Sequence, residues 1–152
     1  MRNLSSRTGQ WLAVAVLVLG CGADRNGAVT LKGSDLGETL LPGAEAGVFV
    51  ARVDAVPMAS RFSGRAIVID PIEGNWVLSV TVLQVLKGDE ALGRMGVKVG
   101  ERANFLIHSP ARALHCSAEE AVGRTFVLNC LERAEPNGAP SRFLYATREV
   151  KP

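Results

Sequence analysis

The chain has 152 residues, of which 47% are hydrophobic and 21% charged, with 17 Lys and Arg against 15 Asp and Glu. That length suits one domain with a sizeable core. A formal net charge of +2, with no dense Lys/Arg cluster, carries no electrostatic footprint for nucleic acid, and 5% aromatics offer little to stack bases on.

The chain begins "MRNLSSRTGQ", with Arg2, Arg7 and no acid, and then runs apolar from Trp11 to Gly20. This run is about half of the roughly 20 residues that cross a bilayer, so residues 1–20 read as a signal segment and not as a permanent span. It closes in Val18-Leu19-Gly20-Cys21, a small residue directly before a cysteine, which resembles a bacterial lipoprotein signal. The resemblance implies cleavage before Cys21, acylation of its thiol and anchoring to membrane lipid. Gly22, where an Asp would signal retention, implies the outer membrane in a Gram-negative cell. Two or three acyl chains hold a protein stably, at about 0.8 kcal/mol per buried CH₂. Every acid lies beyond Cys21, so removal of Arg2 and Arg7 leaves the mature chain formally neutral.

Residues 21–46 are rich in Gly, Asp, Glu and small residues without a period and read as a flexible tether; the domain is expected over 47–152. "GVFVARVDAV" places Phe49, Ala51, Val53 and Ala55 on one face of a half-buried strand. "RAIVID" is a short further candidate. "WVLSVTVLQVLKGDE" aligns Trp76, Leu78, Val80 and Val82, then loses phase as Leu83 and Val85 leave the register, the mark of a bend or bulge in a curling sheet. "VKVGERANFLIHS" aligns Ala103, Phe105 and Ile107. In "SAEEAVG", Ser117 and Glu120 have capping-box spacing and Gly123 suits a helix end. "RTFVLNCLER" aligns Phe126, Leu128 and Cys130, and "SRFLYATREV" gives a last strand through Phe143 and Tyr145.

A short helix between the third and fourth strands is the arrangement of a five-stranded OB-like β-barrel, so a mainly β fold of that kind is expected, with a β-sandwich carrying one helix as the alternative. "VFVARVDAV", "WVLSVTVLQVLKGDE" and "VGRTFVLNC" together resemble bacterial domains similar to the netrin and tissue-inhibitor-of-metalloproteinase OB barrels. Inhibitors of that kind chelate a protease zinc through a free N-terminal cysteine in a Cys-x-Cys start. Here the start is Cys21-Gly22-Ala23, and an acylated Cys21 does not chelate that way, so the resemblance implies the scaffold and transfers no functional residue.

Chemistry concentrates in "HSPARALHC", which holds both histidines, His108 and His115, and Cys116 in nine residues. With Cys21 assigned to lipid, Cys116 and Cys130 remain, and an even pair in an oxidising compartment suggests one disulfide. Zinc needs about four convergent ligands, or three and water. His115 and Cys116 are adjacent and diverge on a strand-like backbone, and no metal-ligand spacing is present. Ser109 precedes Pro110 without a nucleophile-elbow motif. The stretch therefore reads as a strand end leading into a disulfide-anchored binding loop that carries His108, Arg112 and His115, with no catalytic set, metal or cofactor. The expected function is that of a lipid-anchored cell-envelope binding or scaffolding protein with an envelope protein partner. A metalloprotease-inhibitor-like role, or a metal-binding or hydrolytic one through His108 and His115, is the alternative.

Overall fold

The computed structural model describes residues 44–138 and 140–152. The signal segment, Cys21 and the tether as far as residue 43 lie outside the described residues. The protein is mainly β: a six-stranded mixed sheet, curled into a half-barrel, with short helices. The strands are β1 (Ala44–Ala55), β2 (Ile67–Val68), β3 (Trp76–Lys87), β4 (Arg102–Ile107), β5 (Thr125–Ala134) and β6 (Pro140–Val150). Their order across the sheet is β2-β4-β3-β1-β5-β6. All neighbours are antiparallel except β2 and β4, where Ile67 and Val68 pair in parallel with Phe105 and Leu106. The "RAIVID" segment thus supplies a sixth strand of only two paired residues, and β1 includes Ala44–Ala46, residues that the sequence assigns to the tether.

The inward face is the one that period-two alternation indicates. Phe49, Ala51 and Val53 of β1, Leu78, Val80 and Val82 of β3, Ala103, Phe105 and Ile107 of β4, and Phe126, Leu128 and Cys130 of β5 form one buried cluster. The Phe49 and Phe105 rings stack with centroids 6.0 Å apart. Ala55 departs from the pattern: the ladder slips between Val53 and Ala55, and Ala55 emerges at the surface. The phase loss in β3 has the same physical cause. Val50 pairs with Gln84 and Ala51 with Val82, which leaves Leu83 over; Val48 pairs with Lys87 and Phe49 with Val85, which leaves Leu86 over. Each extra residue raises the local twist, and repeated bulges curl the sheet. On β6 the inward residues are Leu144 and Ala146, so Phe143 and Tyr145 fall on the opposite register. The central strands are buried on both faces, with Val48, Val50, Val77, Val127 and Leu131 covered as well.

Among the described residues, three short α-helices and a 3-10 turn (Ala59–Arg61) stand in place of the single helix expected. Helix α1 (Asp89–Arg94) follows the left-handed Gly88 and buries Leu92 against β1, where a Cβ on Gly47 would lie 2.3 Å from Leu92 Cγ. Helices α2 (Pro110–Leu114) and α3 (Ala118–Ala121) lie between β4 and β5. In α3 the capping box is complete: Ser117 N–H donates to Glu120 Oε2 (3.0 Å) and Glu120 N–H donates to Ser117 Oγ (3.3 Å). The hydrogen bond from the Ser117 amide, with a contribution from its hydroxyl, favours the charged carboxylate and holds Glu120 below its usual pKa. Among the described residues no helix is long and apolar enough to cross a membrane.

Candidate functional site

Among the described residues, the sheet closes on its core but not on itself. The gap between its two margins, the β2–β4 side and β6, is a cleft of about 800 Å³. Val68 to Ile72, the end of β4 with α2, and β6 from Pro140 to Tyr145 line it. Its rim exposes large apolar groups: Ile72 is 92% accessible, Phe143 46% and Val68 42%. Such groups are normal singly, but gathered around one concavity they mark a place for a ligand.

The cleft's polar wall is built from two segments that the chain order keeps apart. The first is the turn whose Asp70, Pro71 and Ile72 line the cleft and which closes behind them at Glu73. Ile69 N–H and Asp70 N–H both donate to the carbonyl of Leu106 in β4 (3.1 and 3.3 Å), which straps the turn to that strand. Glu73 N–H donates to Asp70 Oδ1 (3.2 Å), an Asx-type closure that suits an Asp-Pro start. A Cβ on Gly74 would lie 2.4 Å from the Asp70 carbonyl and 2.6 Å from Leu106 Cγ, so only glycine lets the turn approach this closely.

The second segment is the end of β4. The strand's alternation turns Ile107 into the core and leaves His108 half-exposed. Ser109 then caps α2, its Oγ accepting from Arg112 N–H at 3.3 Å, with Pro110 in the first turn. The "PARALHC" stretch is therefore a one-turn helix and not an open loop. The Ser-Pro pair is the sequence signal for it, a capping hydroxyl followed by a residue whose φ suits the first helical position. Helix α2 ends at His115, held in the left-handed region at φ 61°.

Glu73 joins the two segments. His108 Nδ1 lies 3.3 Å from Glu73 Oε2 and 3.3 Å from the Glu73 carbonyl, and Arg112 Nη1 lies 3.9 Å from the same Oε2. His108 and Arg112 thus share one site, as their proximity in sequence suggests. His115 does not join them. It lies with Cys116, Arg124 and Phe126 at a separate, smaller recess of about 230 Å³. Sequence reasoning missed Asp70 and Glu73. Their turn chemistry is visible in "DPIEG", but its docking beside His108, 35 residues on from Glu73, is a consequence of the β2–β4 pairing.

The expected disulfide is not present: Cys116 and Cys130 are free thiols. Cys116 lies between α2 and α3 and lines its recess beside Phe126, whereas Cys130 stands four residues farther along β5 than Phe126, inside the core. Cys130 is buried against Met95, with its Sγ 3.9 Å from the thioether sulfur. Burial pushes the Cys130 thiol up to about 12, and burial likewise raises Cys116, so neither is a ready nucleophile at neutral pH. The Ser109 hydroxyl is engaged as the cap of α2.

Compared with protein-family models, curated proteins and solved structures, the chain matches none of them.

Proposed function

We propose that this chain is a lipid-anchored cell-envelope binding protein that takes an extended polypeptide segment of an envelope partner into the cleft between β4 and β6. With the two-residue β2 set aside, the strand order β4-β3-β1-β5-β6 is that of a five-stranded OB-like barrel opened between its third and fifth strands. One observation carries the reading. The cleft is bounded by β6, among the described residues a sheet edge paired on one side only, and is rimmed by the exposed side chains of Ile72 and Phe143. An unpaired edge offers backbone donors and acceptors to an added strand, and flanking apolar side chains select among its residues. Anchoring through Cys21 would keep such a module beside envelope proteins without a spanning segment.

The test is site-specific photocrosslinking in intact cells. A crosslinking residue at Ile72 or Phe143 is expected to trap one envelope protein through an extended segment, and the same residue at Val122, exposed elsewhere on the surface, is expected to trap none. Equal adducts from all three positions, or adducts from Val122 alone, would refute the cleft as the binding surface. Replacement of Cys21→Ser is expected to release the protein from membranes, and unchanged fractionation would remove the anchor from the reading.

A further inference from the structure

Two carboxylates at a turn describe ordinary solvated surface, but an imidazole brought to them from another strand is a different donor set. Among the described residues, Asp70, Glu73 and His108 each offer a ligand atom, and these atoms lie within 4.8 Å of one another. From this we infer that the polar wall of the cleft is a binding site for a divalent transition-metal cation, zinc being the best match. The site is distinct from the His108/His115 pairing to which sequence proximity points.

Distances support the assignment. Zinc takes nitrogen and oxygen ligands at about 2.0–2.2 Å, and two such ligands at the tetrahedral angle stand roughly 3.4 Å apart. His108 Nδ1 and Glu73 Oε2 are 3.3 Å apart, longer than the ~2.7–2.9 Å of a tight charge-assisted hydrogen bond. The ligand atom of Asp70 lies within 4.8 Å of both, and coordination requires its side chain to close on the same point. The backbone around the donors is already set: Leu106 holds Asp70, Asp70 holds the amide of Glu73, and Gly74 permits the close approach. Imidazole suits zinc, copper, iron and nickel, whereas a magnesium or calcium site would be built from oxygen alone. Asp70 and His108 both line the cleft, so a fourth coordination position faces it, open to water or to a carboxylate or carbonyl of a bound segment. Arg112, 3.9 Å from Glu73 Oε2, is the cation that the metal displaces from this carboxylate.

The inference is independent of what the cleft binds and is tested on the full chain after removal of metals with a chelator. Calorimetric titration with zinc chloride is expected to show one site per chain. His108→Ala, Glu73→Gln and Asp70→Asn should each weaken it at least tenfold. Arg112→Ala should strengthen it severalfold by removing the competing cation, and His115→Ala and Cys116→Ser should leave it unchanged. In the unmutated protein, zinc should perturb the NMR signals of the His108 ring and the Glu73 amide, a reading that needs no variant to fold. No zinc uptake, binding retained by His108→Ala, loss shared with His115→Ala or Cys116→Ser, or unmoved His108 and Glu73 signals would each overturn the assignment. Phe143→Ser should spare zinc binding, which separates this result from failure of the proposed partner site.

Discussion

The centre of the sheet and its open margin are built on opposite terms. At the centre, β1 pairs along nearly its whole length with β3 and β5, and residues 48–51 are buried on both faces. At the margin, β2 contributes two paired residues, the Asp70–Glu73 turn hangs on one carbonyl, and charged groups meet beside exposed Ile72 and Phe143. Apolar burial stabilises in proportion to the area removed from water, so the buried centre contributes more to stability than the exposed margin. The margin is left free to carry polar and exposed groups that a core would not tolerate, a division common where binding residues ride on a rigid scaffold.

Substitutions that break this division should differ in size accordingly. Phe49→Ala removes a fully buried ring stacked on Phe105 and should cost about 3–5 kcal/mol. Domains of this size are stable by only about 5–15 kcal/mol, so a large drop in the denaturant midpoint is expected. Gly47→Ala, which forces a methyl into Leu92, should cost about 1–3 kcal/mol in the same assay. Ser109→Ala, at the boundary between centre and margin, removes one helix cap and should cost about 1 kcal/mol. Ile72→Ser, wholly in the margin, should change stability by less than about 0.5 kcal/mol while reducing crosslinking at the cleft.

The cysteines sharpen the same contrast chemically. Under native conditions at neutral pH, Cys130 should alkylate far more slowly than Cys116. Its pKa of about 12 against an ordinary 9.0 leaves on the order of a thousandth of the usual thiolate. After denaturation without reductant, mass spectrometry should find both thiols labelled. Because Cys130 in the unfolded chain releases its proton near 9.0 and in the folded chain near 12, its contribution to stability is full below pH 9.0. It is lost as the pH climbs toward 12, which an alkaline unfolding series should register.

Much of the centre can be read directly in the chain. Alternation alone identifies Phe49, Leu78, Val80, Phe105 and Leu128 as inward-facing, because neighbouring residues of a strand point to opposite faces whatever surrounds them. The lost phase after Val82 marks the bulge at Leu83, though not the second one at Leu86, and Ser117 with Glu120 marks a capped helix. These are local properties that a short stretch of residues carries within itself. Helix α1 escapes such reading since its first cap is a left-handed glycine without a capping side chain, and its burial rests on Leu92 meeting Gly47.

What tertiary structure alone decided is which distant groups meet. The nine residues from His108 to Cys116 look like one site, yet a turn of helix and a left-handed residue send His115 and Cys116 away from His108. The partner of His108 comes instead from the turn at Asp70 and Glu73, delivered by a parallel two-residue pairing that no local pattern encodes. Cys116, between α2 and α3, and Cys130, buried in β5, sit on separate elements whose relation is settled only by the packing of the folded chain. Period and capping are written in neighbouring residues; convergence depends on how separate segments pair, and that is a property of the folded chain.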